Sequence, residues 1–209
     1  MADPVARKKR VYLAGPDVFL PNAAAFLERK QELCAKHGFV GLSPFDNEVD
    51  RTGLSKHEVA LRIGAANEEM IRSCDLVIAN LTPFRGPSAD AGTVYEVGFA
   101  RALGLPVFAY TNVAGSLLDR TRRWPGDQIT QRADGELTDQ FDMIVEDLDC
   151  VENLMIVGAV EAGSTGTGIV IHAMADKDRF TDLAGFETCL DLAARQLRRP
   201  PASPAQGKN

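Results

Sequence analysis

The stretch from Leu76 to Ala100 constrains this chain more than any other. It opens on a short, partly β-branched apolar run, Leu76-Val77-Ile78-Ala79-Asn80-Leu81, followed by Pro83 and Gly86. Such a run reads as a strand buried on both faces. From Thr93 the period changes: Val94, Val97, Ala100 and Leu103 recur at three-residue steps and Gly104 ends them, so a helix is expected. The loop between the two carries Arg85, Ser88 and Asp90, and the helix start carries Glu96. In open α/β sheets, ligands sit in the crevice beyond the carboxyl ends of the strands. Two carboxylates, Asp90 and Glu96, are therefore delivered to the edge where a ligand would bind.

The same unit recurs along the chain. Residues 1–9 read as a flexible polar arm, and Val11–Ala14 as a strand broken by Gly15-Pro16, with Asp17 and Phe19 in the loop beyond. Asn22 suits the N-cap of a helix ending near His37, with Gly38 after it and Phe26, Leu27, Leu33 and Cys34 on its inner face. Phe39–Leu42 is a second strand, followed by a polar loop holding Asp46 and Glu48. Ser55 and Glu58 have capping-box spacing before a stripe of Val59, Ile63, Ala66 and Met70, with Asn67 at the stripe's edge. Pro106–Tyr110 is a fourth strand, with Asn112 beyond its end.

The last part of the chain is less periodic. Residues 113–150 show no clear period and read as a long surface excursion. Asn153–Val157 reads as a fifth strand or its approach, 163–168 as a Gly/Ser/Thr turn, and Ile169–Ile171 as a short added strand. A terminal helix is expected over Leu183–Leu197, with Phe186, Leu190, Ala193 and Leu197 inward, and 199–209 as a disordered tail. The expected architecture is one α/β domain over 10–198, a doubly wound sheet of about five parallel strands flanked by helices.

Composition removes several function classes. At 209 residues the chain can bury a sizeable core in one domain. A net charge of −6 argues against nucleic acid as the main partner, since phosphate binding relies on clustered Lys and Arg. No apolar run approaches the roughly 18 residues of a membrane span, so no membrane association is expected. The four cysteines are widely spaced, which fits a reduced cytoplasm and gives no zinc pattern. No metal and no cofactor are expected: G-x-G-x-x-G is missing after the first strand, and so is G-x-x-x-x-G-K.

Asp90 and Glu96 admit a chemical and a structural reading. With Thr93 as N-cap, Glu96 falls at N3 of its helix, where the dipole favours an ionised, low-pKa carboxylate. Such a group is a good nucleophile or cation stabiliser, and Asp90, still in the loop, can keep or donate a proton. Carboxylates divided in this way suit glycosidic-bond cleavage. The same spacing is also a capping box with no chemical role, and Asp90 is also an ordinary turn residue. Tyr12 suits the core, Asn67 a half-exposed helix face, and the 163–168 turn either a phosphate nest or a plain turn.

Four ordered pieces, all at expected strand ends, resemble the nucleoside 2-deoxyribosyltransferase family. They are Tyr12-Leu13-Ala14-Gly15-Pro16 with Phe19, then Pro44-Phe45-Asp46-Asn47, then Asp75–Leu81 running through Asp90-Ala91-Gly92-Thr93-Val94-Tyr95-Glu96-Val97-Gly98, and Asn153-Leu154-Met155. The resemblance implies a flavodoxin-like fold and exchange of the base of a 2′-deoxynucleoside for a free nucleobase. Glu96 matches the family's nucleophile, Tyr12 a tyrosine that holds it, and Asp90 an aspartate that contacts the base and carries its proton. Gly15, Asp17, Phe19, Asp46 and Glu48 fall in the base-binding loops. Asn153 matches an asparagine lent to the sugar by a neighbouring subunit of a homo-oligomer. Asn67 departs from the pattern: some members carry an aspartate there, and an amide gives up no proton at neutral pH. Hydrolysis of 2′-deoxynucleosides or their 5′-monophosphates is the second reading, and a non-catalytic nucleotide-sensing module the third.

Overall fold

The computed structural model describes residues 7–126, 128–164 and 166–198. Five strands form one parallel sheet: β1 (Lys9–Ala14), β2 (Phe39–Leu42), β3 (Leu76–Asn80), β4 (Val107–Thr111) and, last in the chain, Ile169–Ile171. Their spatial order is β2-β1-β3-β4 and then Ile169–Ile171. The order reverses between β1 and β3, and the crevice of a doubly wound sheet opens at such a reversal.

Burial on both faces explains the apolar strands. Alternate residues feed two cores. Val11, Leu13, Leu76, Ile78, Phe108 and Tyr110 face α1 (Ala23–Lys36) and the C-terminal helix Ala184–Arg198. Tyr12, Ala14, Val77, Ala79, Val107 and Ala109 face the opposite way, towards α3 (Ala91–Ala102) and the helix Leu154–Gly163. α2 (Lys56–Arg72) lies beside α3, and of its residues only Ile71 is fully buried. On this second face Ala14, Ala79 and Ala109 stand in register across three strands. That row of methyl groups lets α3 approach closely enough for its side chains to meet β1.

Several expectations are corrected. Residues 154–163 form a helix, α5 after the short α4 (Leu117–Arg123), and not a strand. Its ten residues are apolar nearly all round, so period alone does not separate it from a buried strand. Asn153 at its N-cap, accepting from Met155 N at 3.0 Å, was the available signal. The fifth strand is Ile169–Ile171. The excursion at 113–150 is partly ordered: Ser116 and Asp119 form a capping box at α4, and Thr130–Gln131 pairs with Leu137–Thr138 in a small hairpin. Lys9, expected in the polar arm, belongs to β1, and Arg7 and Lys9 both pair with Asp75. Leu103 and Leu197, expected inward, are partly exposed. Residues 1–6 and 199–209 lie outside the described residues, as does Thr165 of the Gly/Ser/Thr turn.

One buried polar cluster ties the strand ends at the reversal point. Lys30 sits on the apolar face of α1 and is fully buried, and its Nζ lies 2.6 Å from Asp17 Oδ2. The other oxygen of Asp17 accepts from Asn80 Nδ2 at 2.9 Å. The turn after β1 is thereby bolted to the end of β3. Removing one member of a buried pair strands the other charge, which costs about 3–5 kcal/mol. Lys30→Met is expected to lower stability on that scale in urea unfolding. Adding Asp17→Asn to Lys30→Met is expected to recover part of the loss.

Candidate active site

A cavity of about 600 Å³ opens at the reversal point. Three strand-end segments wall it. The turn after β1 contributes Gly15, Val18 and Phe19, the segment after β2 contributes Phe45, Asn47, Val49 and Arg51, and the start of α3 contributes Asp90, Gly92, Thr93 and Glu96. Ile63 and Asn67 of α2 close the side. Gly15 is required by close approach, since a Cβ there would stand 2.9 Å from Asn80 Cβ. The walls are largely apolar and aromatic with a few polar groups, the usual make-up of a small-molecule site.

At the cavity's inner end Tyr12 Oη donates to Glu96 Oε1 at 2.5 Å. Tyr12 is completely buried in β1, and burial followed by the neighbouring Glu96 carboxylate raises its pKa far above the ordinary value. The phenol thus stays protonated and always donates. Glu96 is pushed up to about 7, first by desolvation and further by the nearby Asp90 charge, with the Tyr12 hydrogen bond pulling the other way.

This reverses the expected electrostatics of Glu96. α3 starts two residues earlier than Thr93. Asp90 is its N-cap, accepting from Thr93 N at 3.0 Å and Thr93 Oγ1 at 3.1 Å through Oδ2. Glu96 therefore lies beyond the first turn, where the dipole has faded and desolvation dominates. There is no Thr93–Glu96 capping box, so Glu96 does not serve as a helix cap.

The expected site residues divide in two groups. Gly15, Phe19, Asn67, Asp90 and Glu96 line the cavity, with Tyr12 bonded to Glu96. Asn67 Oδ1 accepts from Asn47 Nδ2 at 2.8 Å. Asp17, Asp46, Glu48 and Asn153 stand outside the wall. Asp17 is held by Lys30 and Asn80. Asp46 turns back to Ser43 N (2.7 Å) and Gln31 Nε2 (2.8 Å). Glu48 faces solvent. Asn153 caps α5, its Nδ2 donating to Glu146.

Sequence reasoning passed over Phe45, Asn47 and Arg51. Ser43 and Asp46 have capping-box spacing, which turns Asp46 back onto its own backbone and leaves its neighbours to face the cavity. Arg85 lies beside the site with φ of 55°, its guanidinium 5.0 Å from the Phe19 ring centre and 4.6 Å from that of Phe84. Among the described residues no cluster of three His, Cys, Asp or Glu side chains could hold a metal ion. No helix there is long and apolar enough to cross a membrane.

Comparison with known proteins agrees with this geometry. The sequence profile described as nucleoside 2-deoxyribosyltransferase matches residues 11–155. An uncharacterised protein of Schizosaccharomyces pombe is 30% identical over 196 residues, spanning 88% of this chain and 89% of the relative. A 2-desoxiribosyltransferase from Leishmania mexicana is similar in structure, with a TM-score of 0.53 and 26% identity over 82% of this chain and 94% of that one. The parallel five-stranded sheet flanked by helices is the α/β fold of deoxyribosyltransferases, and the chain belongs to the nucleoside 2-deoxyribosyltransferase family.

Proposed function

We propose that the protein exchanges the nucleobase of a 2′-deoxyribonucleoside through a covalent deoxyribosyl–Glu96 intermediate. The observation that carries this reading is the enclosed Glu96 carboxylate, fixed by a protonated tyrosine at the inner end of a ligand-sized cavity. A desolvated carboxylate is a stronger nucleophile than a hydrated one, and the hydroxyl aims it without neutralising it. Glu96 attacks C1′, and the electron pair of the N-glycosidic bond leaves with the base. The departing base takes up a proton that Asp90 relays from solvent through Oδ1, the oxygen free of the cap bonds. The nitrogen of a second base then attacks C1′ from the face the first one left. The ester bond breaks, Glu96 returns to a carboxylate, and Asp90 relays the proton of the attacking nitrogen back to solvent. Two inversions give retention of configuration.

Phe19 and Phe45 offer ring faces for the base, and Asn67 and Asn47 offer amides to its edge. Because an amide donates hydrogen bonds but no proton, Asp90 carries the proton traffic. Asn153 lies outside its own cavity, beside exposed Leu154 and Met155. That placement supports its service to the sugar of a neighbouring protomer in a homo-oligomer, as the family resemblance implies.

Incubation with thymidine and excess adenine or cytosine tests the reaction. Formation of the new deoxynucleoside is expected, and free base with free deoxyribose would instead identify a hydrolase. Glu96→Gln is expected to lower turnover by about 10⁴-fold or more, as for loss of a nucleophile. It should also keep the fold. The raised pKa means that folded Glu96 binds its proton more tightly than unfolded Glu96 does. Wild-type stability from this group is therefore full at low pH and falls as pH rises towards about 7. Glu96→Gln should thus be at least as stable as wild type at alkaline pH in thermal unfolding, and the two should converge in acid.

The pH dependence of kcat/KM gives a second test. Only ionised Glu96 attacks, so kcat/KM should rise with pH to a plateau above about 7. Asp90→Asn removes a neighbouring negative charge and should move this limb to lower pH. Tyr12→Phe removes the bond that favours the anion and should move it to higher pH. Limbs that stay fixed in both variants would remove Glu96 as the titrating group. For the assembly, Glu96→Gln and Asn153→Ala protomers that have exchanged subunits should regain activity above either parent.

A further inference from the structure

Another buried carboxylate sits behind the loop that carries Asp90. Glu152 is 1% exposed and lines no part of the cavity. Its carboxylate accepts from Ser88 Oγ at 2.6 Å, Ala89 N at 3.1 Å and Asn153 N at 3.0 Å, with Arg120 Nη2 at 3.4 Å. Arg120 of α4, itself 7% exposed, donates to Pro87 O at 2.7 Å, Gly115 O at 2.9 Å and Val151 O. The pair thus grips the backbone on both sides of a junction, residues 87–89 on one and 151–153 on the other.

Each grip lies next to a helix cap. Ala89 directly precedes Asp90, the N-cap of α3, and Asn153 is the N-cap of α5. α3 and α5 pack against each other on the same face of the sheet. No strand ladder joins residues 81–90 to 139–153; beside the packing of α3 on α5, the bonds of Glu152 and Arg120 tie the two segments together. An ion pair taken this far out of water is a weak source of stability, and apolar residues of similar volume often serve as well. What apolar residues cannot do is hold two backbone N–H groups and a hydroxyl at fixed points.

We propose that Glu152, held by Arg120, is a positioning residue for the reaction. It fixes the loop so that Asp90 caps α3 through one oxygen while presenting the other to the base, and with the same carboxylate it sets Asn153. The inference rests on the reading of Asp90 as the proton carrier for the departing base.

Ser88 Oγ and Asn153 N share one oxygen of Glu152, and Ala89 N and Arg120 share the other, so Glu152→Gln keeps the size of the side chain but can accept from only one of these pairs. Two readouts are taken on the full chain: amide hydrogen exchange, and turnover of 2′-deoxyguanosine beside 7-methyl-2′-deoxyguanosine. The methylated base is already cationic and leaves without a proton. Exchange should accelerate by about 10-fold or more at Ala89–Thr93 or at Asn153–Ile156, whichever segment the amide NH₂ faces, with the amides of β1 and the C-terminal helix unchanged. Turnover of 2′-deoxyguanosine should fall on the order of 10²-fold, and that of the methylated donor by less than about 3-fold. Ser88→Ala removes only the 2.6 Å bond and should give the same pattern at smaller scale, which covers a Glu152→Gln protein that fails to fold.

Unchanged exchange at Ala89 and Asn153 would overturn the proposal. So would equal losses on the two donors, which mean general loosening of the fold. A wild-type protein that turns over neither deoxynucleosides nor the methylated donor would sink the functional reading instead. The exchange rates alone would then decide whether Glu152 fixes the loop.

Discussion

A hydroxyl from the middle of the sheet meets a carboxylate from a helix, and the site is built round that contact. Tyr12 belongs to the strand next to the order reversal, in register with Val77 and Val107 on the face that α3 covers. The small residues of the next row, Ala14, Ala79 and Ala109, bring α3 down onto the sheet. Bulkier side chains there would lift the helix, and the 2.5 Å bond to Glu96 would be lost. The chemistry of the site is therefore set by packing one layer below it.

The two factors acting on Glu96 differ in reach. The dipole of α3 acts within its first turn, and Asp90, not Glu96, stands there. Desolvation acts wherever protein replaces water, and it dominates at the cavity's inner end. The outcome is a carboxylate whose pKa is raised to about 7, which suits the proposed attack on C1′ and later departure from it. A strongly stabilised anion would form the sugar ester less readily. A wholly neutral acid would not attack at all.

Much of this was legible in the sequence, for identifiable reasons. A strand buried on both faces is written as an apolar run, so β3 is legible nearly to the residue, and its polar end locates the crevice. The helix Leu154–Gly163 was missed because it too is apolar nearly all round. Asp90-x-x-Thr93 and Thr93-x-x-Glu96 are overlapping cap signals, and only packing against the sheet decides that the helix starts at the first. Side-chain direction was least legible. Asp17 and Asp46 stand on the predicted loops but turn away from the cavity, because their partners Lys30 and Gln31 lie on a helix that the loops themselves do not reveal. The hint was Lys30, a charge set among Phe26, Leu27, Leu33 and Cys34 on the inner face of α1.

The enclosed carboxylates can be told apart by what faces them. Asp17 meets an ammonium group, and Glu152 meets a guanidinium group and two backbone amides. Each is compensated, and each ties segments of chain together. Glu96 meets a neutral phenol and the negative charge of Asp90. A carboxylate placed in a dry site for structural reasons would be expected to have a cation beside it, since desolvation is otherwise unopposed. The partner supplied to Glu96 orients it and leaves its charge uncompensated, which suits a group that must bond to electron-poor carbon and then release it. A cation in Tyr12's place would stabilise the fold more and the attacking anion too much. The hydroxyl there is thus the physical mark that sets Glu96 apart from Asp17 and Glu152, and it fits the proposed role of Glu96 as nucleophile.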